Sequence, residues 1–425
     1  MLKSQIDRRR FFEFVALTGA LATGPLLLAS CSKENQNTGD SNNPTQNSDK
    51  KAITFTSLYG TSGLYAQSGI EGLEGLRLVP AYLGGKLLGR EVKVVGFDTQ
   101  EKIDVAVRRA RESIAAGAEF FTGGSASNVA LAEGEEVNKG SGVFVTSAGA
   151  DEITGKECRS GVFRWSVSTY SAVQETIAPL IKAEPSLKRW YTITPDYVFG
   201  QSLLNNAKDV FKQNNIEHVG NSFHSLDATE FSGYLNNALA AKPDVLCLFN
   251  FGAQSTTTIK QAVSFGMKNK MKILLVWSGG LSQLKALGPD ALEGVYAGCQ
   301  YWHTVNTPGN KKFVDLFRKT YDKNPGYAHV TGFIAGRLFA LGIQKAAKTD
   351  PTSVIQALEG LKYDGPTGPE VVRAEDHQVI KQYYLLKGKS KDSMKDPDDL
   401  MEIISSGNTA PSLAKAGCTL KPLGS

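Results

Sequence analysis

The chain contains no Cys-x-x-Cys pair and no His-Glu-x-x-His stretch, so the spacings that commonly mark zinc sites are missing. Gly-x-Ser-x-Gly, the nucleophile elbow of many hydrolases, does not occur either. The nearest approach to a phosphate loop is 150–157, Ala-Asp-Glu-Ile-Thr-Gly-Lys-Glu. It lacks the first Gly and the Ser or Thr that should follow the Lys. Histidine is scarce, with five residues, of which His218 and His224 sit in polar segments and Asp376-His377 has no nucleophile nearby. A triad can assemble from distant positions, but these absences lower the case for catalysis. No metal and no cofactor is expected. Charge of one sign is also lacking. The 425 residues carry 47 Lys and Arg against 42 Asp and Glu, a net of +5. The first thirty residues contribute Lys3, Arg8, Arg9 and Arg10 against Asp7 and Glu13, leaving +3 for the remainder. That dispersed surplus gives nucleic acid nothing to bind.

Long apolar runs are missing but for one, from about Phe14 to Ser30. It holds Gly19, Gly24 and Pro25 and falls short of the roughly 20 residues a spanning helix needs. A basic start, a short apolar stretch, small residues and then Cys31 describe an export segment. Arg8-Arg9-Arg10-Phe11-Phe12 resembles a twin-arginine signal, and Leu28-Ala29-Ser30-Cys31 resembles a lipoprotein box. The resemblance implies cleavage before Cys31, lipidation of that thiol and a membrane-anchored protein in the periplasm or on the cell surface. Ser32 is not the usual residue for inner-membrane retention. The stretch 31–51 is Cys31 followed by residues mostly Ser, Asn, Gln, Thr, Lys and Asp, with almost nothing apolar, the composition of a tether that cannot bury enough to order itself.

Cysteine is sparse, and four remain once Cys31 is set apart. Cys247 and Cys299 lie in apolar runs, where a thiol serves as a small hydrophobe. Cys158 and Cys418 have polar, Gly-rich surroundings, and a disulfide between them would tie the tail to the body in an oxidising compartment.

About 390 residues follow the signal, enough for two domains of ordinary size. Short β-like runs at 53–58, 91–97, 119–122 and 142–146 alternate with helical spacing at 63–83, 102–116 and 128–137. A second block alternates strands at 190–194, 245–249 and 273–277 with helices at 202–214, 231–241 and 256–265. Helices at 311–321 and 330–347 follow, and a strand at 379–386 closes the series. The order predicts an α/β fold of two doubly wound parallel-sheet lobes.

In such sheets ligands sit beyond the C-terminal strand ends. Three loops there share a composition. Leu58 leads into Tyr59-Gly60-Thr61-Ser62-Gly63, Thr122 into Gly123-Gly124-Ser125-Ala126-Ser127, and Thr146 into Ser147-Ala148-Gly149. Each offers hydroxyls and backbone N–H groups that suit a carboxylate. The same residues also make ordinary turns and caps.

These loops, with Ala150-Asp151-Glu152-Ile153-Thr154, Phe163-Arg164-Trp165, Asp196-Tyr197-Val198-Phe199-Gly200, Phe249-Asn250-Phe251-Gly252-Ala253-Gln254, Gly365-Pro366-Thr367-Gly368 and 373–378, follow one another over more than 300 residues. In order and spacing the chain resembles the substrate-binding proteins of ABC importers, branched-chain amino acid class, with a type I periplasmic fold. The resemblance implies two lobes joined by three crossings. It places the signal at 1–30, lobe 1 at 52–168 and 301–364, lobe 2 at 169–300 and 365–390, and a C-terminal extension at 391–425. It assigns the anion site to Ser125, Ala126, Ser127, Ser147, Ala148 and Gly149. Tyr59, Tyr65, Tyr170, Phe199 and Phe251 become walls, with Trp277 and Trp302 as further aromatics. An acidic residue that holds an α-ammonium in amino-acid binders is replaced here by Gln254, and another position often acidic is Thr169. A buried ammonium without a carboxylate partner is costly. The expected ligand is therefore a small carboxylate, an amino acid or an aromatic or apolar acid without the amine. The expected partners are an ABC permease and ATPase, reached by clamshell closure, and a lipid anchor. A ligand sensor of the same fold is the alternative, and a secreted hydrolase is disfavoured.

Overall fold

Buried strands run straight into Gly- and Ser-rich loops, and this pattern builds both sheets. The computed structural model describes residues 51–423. The signal, Cys31 and all of the tether except Lys51 lie outside the described residues. The first sheet holds β1 (Ile53–Leu58), β2 (Lys86–Leu87), β3 (Arg90–Gly96), β4 (Phe120–Gly123), β5 (Val143–Thr146) and β6 (Val162–Arg164) in the order β2-β3-β1-β4-β5-β6. All its pairings are parallel except the short β2–β3 ladder. β4 and β5 are buried along their whole length, as strands covered on both faces must be.

The second sheet contains β7 (Arg189–Pro195), β8 (Glu217–His224), β9 (Val245–Leu248), β10 (Lys272–Leu275) and β11 (Tyr296–Cys299). A third, antiparallel sheet holds β12 (Lys362–Gly365), β13 (Gly368–Val372) and β14 (Val379–Ile380). β15 (Tyr383–Gly388) and β16 (Met401–Gly407) complete the second sheet, ordered β16-β15-β11-β10-β9-β7-β8. Helix Tyr327–Ala346 packs against helix Ala66–Arg77 through glycine. An added Cβ at Gly332 would stand 1.8 Å from the Gly72 carbonyl, and one at Gly75 would stand 1.8 Å from that of His329. Phe339 of the long helix meets Phe55 and Phe120, which seats it on the first sheet.

Four expectations are corrected. The boundary at 364/365 falls inside a hairpin: Gly365 pairs with Gly368, whose φ of +108° suits only glycine. The chain enters the second sheet only after 381–382, and this breaks the single strand expected at 379–386. Residues 391–425 are not a plain extension, because β16 forms the antiparallel edge beside β15. The helix expected at 63–83 is two, Ala66–Arg77 and Val79–Tyr82, with Pro80 in the first turn of the second. Cys158 and Cys418 form a disulfide across 260 positions, and Cys247 and Cys299 are buried free thiols. Among the described residues no helix is long and apolar enough to cross a membrane, and no group of three or more His, Cys, Asp or Glu is placed to hold a metal ion.

Candidate functional site

The loops after β1, β4 and β5 meet those after β7, β9 and β10 at one cleft. Two adjoining cavities mark it. One is lined by Ser125, Ser147, Ala148, Gly149, Tyr197, Phe199, Phe251, Trp277 and Tyr327. The other shares Ser125, Ser147, Phe251 and Tyr327 and adds Tyr59, Ser68, Ala328 and Thr331. Each leaves a free volume of about 10 Å³, roughly room for one water. The cleft is shut.

Aromatic rings close it. Phe199 meets Trp277 edge-on with centroids 5.3 Å apart, and Tyr65 meets Phe251 in the same way at 5.1 Å. The Tyr65 and Tyr197 hydroxyls lie 3.4 Å apart across the gap. A Cβ added to Gly149 would sit 2.7 Å from ring atoms of both Phe199 and Trp277, so this position must be small. Tyr327 donates to the Ser147 carbonyl at 3.1 Å, and the Tyr59 hydroxyl lies 3.1 Å from that of Thr122. Burial raises the Tyr59 and Tyr197 pKa values and pushes that of Tyr65 up to about 12, so all three remain neutral hydroxyls. No Asp, Glu, Lys, Arg or His side chain lines either cavity.

Of the residues expected here, Tyr59, Ser125, Ser147, Ala148, Gly149, Phe199 and Phe251 line the cavities, and Tyr65 packs on their edge. Five do not line them. Ser127 turns back, its Oγ accepting from the Ala150 N–H at 3.2 Å. The Ala126 N–H donates to Glu101 at 3.0 Å. Tyr170 lies under the Lys415 ammonium, 5.1 Å from its ring centroid. Gln254 donates its amide to the carbonyls of Ser225, Leu226 and Ala228; it pins a loop of the second sheet. Trp302 is buried in the core of that sheet.

The expected set also left out Tyr197, Tyr327, Thr331, Ser68 and Ala328. Tyr197 could have been found, since it stands in the turn after β7, two residues before Phe199. Tyr327, Ala328 and Thr331 begin a helix whose apolar spacing advertises only packing. Behind the cleft, Arg164 is fully buried and donates to the carbonyls of Gly149 and Ala150, to Thr154 and to Gln378. It fixes the loop after β5 by its carbonyl side. Burial lowers its pKa to about 10, so it stays charged at neutral pH.

Residues 52–393 match the model of a family described as periplasmic binding protein. A structure of an amino acid ABC transporter substrate-binding protein from Pseudomonas fluorescens Pf-5 is similar with a TM-score of 0.84 at 51% identity, covering 87% of this chain and 99% of that one. A solute-binding protein of an R. palustris ABC transporter, in complex with benzoate, gives 0.77 at 25% identity, with 87% and 100% covered. A curated relative, Leu/Ile/Val-binding protein homolog 4 of Brucella melitensis biotype 1, is 26% identical over 311 residues, 69% of this chain and 73% of its own length. The family is one of binding proteins, not of catalysts, and works outside the cytoplasm. With most of its length matched and two sheets meeting at a closed aromatic cleft, the chain belongs to the periplasmic binding protein family, as the solute-binding protein of an ABC transporter.

Proposed function

We propose that the protein captures a small carboxylate with a flat, apolar body and no α-ammonium, and presents it to the transporter by closing its two halves. One observation carries the reading: the cleft is lined by aromatic rings, hydroxyls and backbone, with no acidic side chain to neutralise an ammonium. A buried ammonium left in that setting would lose its hydration with nothing in return. Rings of Phe199, Phe251 and Trp277 suit an aromatic body, and the turn at 147–149 is the place for the carboxylate. The benzoate-bound relative supports this choice. Closure follows from contacts that the solute makes only when both halves touch it. Export by the N-terminal signal and a lipid on Cys31 belong to the same proposal, and mass spectrometry of the mature N-terminus tests them.

A second reading, an amino acid, draws on the description of the 51% identical structure. Calorimetry with benzoate, 4-hydroxybenzoate, phenylalanine and leucine separates the two. Benzoate-type acids are expected to bind at least tenfold tighter than either amino acid. The reverse order would overturn the proposal.

A further inference from the structure

Glu101 occupies the Ser125 and Ala126 amides, which belong to the anion site expected from the sequence. Its Oε1 accepts from the Gly60 N–H at 3.2 Å and the Ser125 N–H at 3.2 Å, and its Oε2 accepts from the Ala126 N–H at 3.0 Å. The donors come from two separate loops, those after β1 and β4, and Ser125 lines both cavities. Burial raises the Glu101 pKa, and the N–H donors of Ala126, Ser125 and Gly60 pull it back down, because these bonds favour the charged form. The residue is built into position. Gln100 and Glu101 both hold positive φ, 56° and 52°, a conformation L-residues seldom adopt in succession. Asp98 ties the same turn to the first loop, accepting from the N–H groups of Thr61 and Ser62 and from the Ser62 hydroxyl. An added Cβ at Gly60 would meet Glu101 N at 2.6 Å, and one at Gly63 would meet the Gln100 carbonyl at 2.5 Å. Glu133 also lies near this end, fully buried with both oxygens unpaired. Burial first, and then the charge of Glu101, raises its pKa well above the carboxylate range. That shift favours the neutral form of Glu133, and the three N–H donors on Glu101 make it the better seat for the pair's charge.

We propose that Glu101 determines charge selectivity: as a resident anion it fills the amides of Gly60, Ser125 and Ala126, leaves the Ser147–Gly149 turn to the solute's carboxylate, and turns away solutes bearing a second negative charge at the Ser125 end. This rests on the carboxylate reading above. Two predictions distinguish the resident anion from a merely structural glutamate. Removing the charge should improve binding of a dianion over a monoanion of the same shape. Removing the whole side chain should open a carboxylate site that free acetate can fill.

The test compares wild type, Glu101→Gln and Glu101→Ala. Calorimetry measures terephthalate against 4-nitrobenzoate, its near-isostere with one charge fewer. Thermal melts compare sodium acetate with sodium chloride at equal ionic strength. Both variants are expected to raise the terephthalate to 4-nitrobenzoate affinity ratio at least tenfold. Acetate is expected to raise the melting temperature of Glu101→Ala more than that of wild type, and Glu101→Gln, whose side chain still fills the space, should show no such excess. An unchanged ratio in both variants, or equal acetate effects in all three proteins, overturns the assignment. Binding of neither acid by any of the three would refute the carboxylate reading instead. The acetate melts would then decide alone: an effect selective for Glu101→Ala supports Glu101 as the anion on these amides, and equal effects remove it.

Discussion

Lys381 holds its ammonium 4.4 Å from the centroid of the Trp165 ring. The two residues belong to different crossings between the sheets, 165–168 and 381–382. The same ammonium donates to the backbone carbonyl of Gln300 at 2.8 Å, to its side-chain oxygen at 3.1 Å and to the Gln382 carbonyl at 2.8 Å. Gln300 lies on the crossing after β11, and its side-chain oxygen also accepts from the Val167 N–H at 3.0 Å. One buried cation therefore gathers all three crossings. Trp165 in turn donates to Glu370 at 2.7 Å, which sets a carboxylate behind the ring.

This arrangement predicts a pH signature. Burial lowers the Lys381 pKa from the usual 10.5 to about 7. Below about 7 both folded and unfolded chains carry the proton, and the folded state bears the cost of a buried charge. Between about 7 and 10.5 only the unfolded chain keeps it, so this group makes folding more favourable as pH rises. Melting temperatures of wild type and Lys381→Met should diverge from pH 6.5 to pH 9, with wild type gaining on the variant. Parallel curves would contradict the role given to Lys381.

Ser147 and Ser127 should separate cleanly. Ser147 lines the cleft and Ser127 does not. Ser147→Ala should weaken the cognate acid about tenfold, or about 1.4 kcal/mol, with little change in melting temperature. Ser127→Ala removes the acceptor of the Ala150 N–H and should cost about 1 kcal/mol of stability, with affinity within about threefold of wild type, on the order of 0.6 kcal/mol. Calorimetry and urea unfolding on the same samples measure both quantities.

Gly149→Ala tests the fit of the two rings. The backbone there is not left-handed, so alanine meets no conformational penalty. Its methyl would press on Phe199 and Trp277, an overpacking cost of about 1–3 kcal/mol that is greatest when the halves close. Affinity should fall by roughly one to two orders of magnitude. Wild-type affinity in this variant would show that the rings do not define the cleft.

Trp277 should report occupancy. It is the tryptophan at the cavity wall, while Trp165, Trp190 and Trp302 are buried elsewhere. Adding the cognate acid should change tryptophan emission, and Trp277→Phe should remove more than half of that change. A full signal in the variant would move the site away from this wall.

Much of the fold was legible because β4, β5, β9 and β10 are largely apolar runs, and β1, β4, β5 and β10 lead into Gly- or Ser-rich loops. The three loops that reach the cleft from the first sheet were legible for the same reason. Their fine assignment was not. Ser125 and Ser127 are two positions apart in one loop, and only the start of helix Ser127–Lys139 decides which hydroxyl faces the cleft. Gln254 lies in the first turn of helix Gly252–Ser264, whose orientation no periodicity reveals. Glu101 sits in Asp98-Thr99-Gln100-Glu101-Lys102, a polar string that reads as solvent-exposed turn. Its significance depends on two left-handed residues that composition cannot announce. Gly365-Pro366-Thr367-Gly368 suits a hairpin and a crossing equally well, and the pairing of β12 with β13 settles it.

The bond between Cys158 and Cys418 closes a covalent ring that contains all three crossings and the whole second sheet. One peptide cut anywhere inside that ring leaves a single connected molecule, with each fragment still carrying one of the two sulfurs. Nicking by proteases in a hostile extracellular setting would then separate the halves only if the disulfide were also reduced.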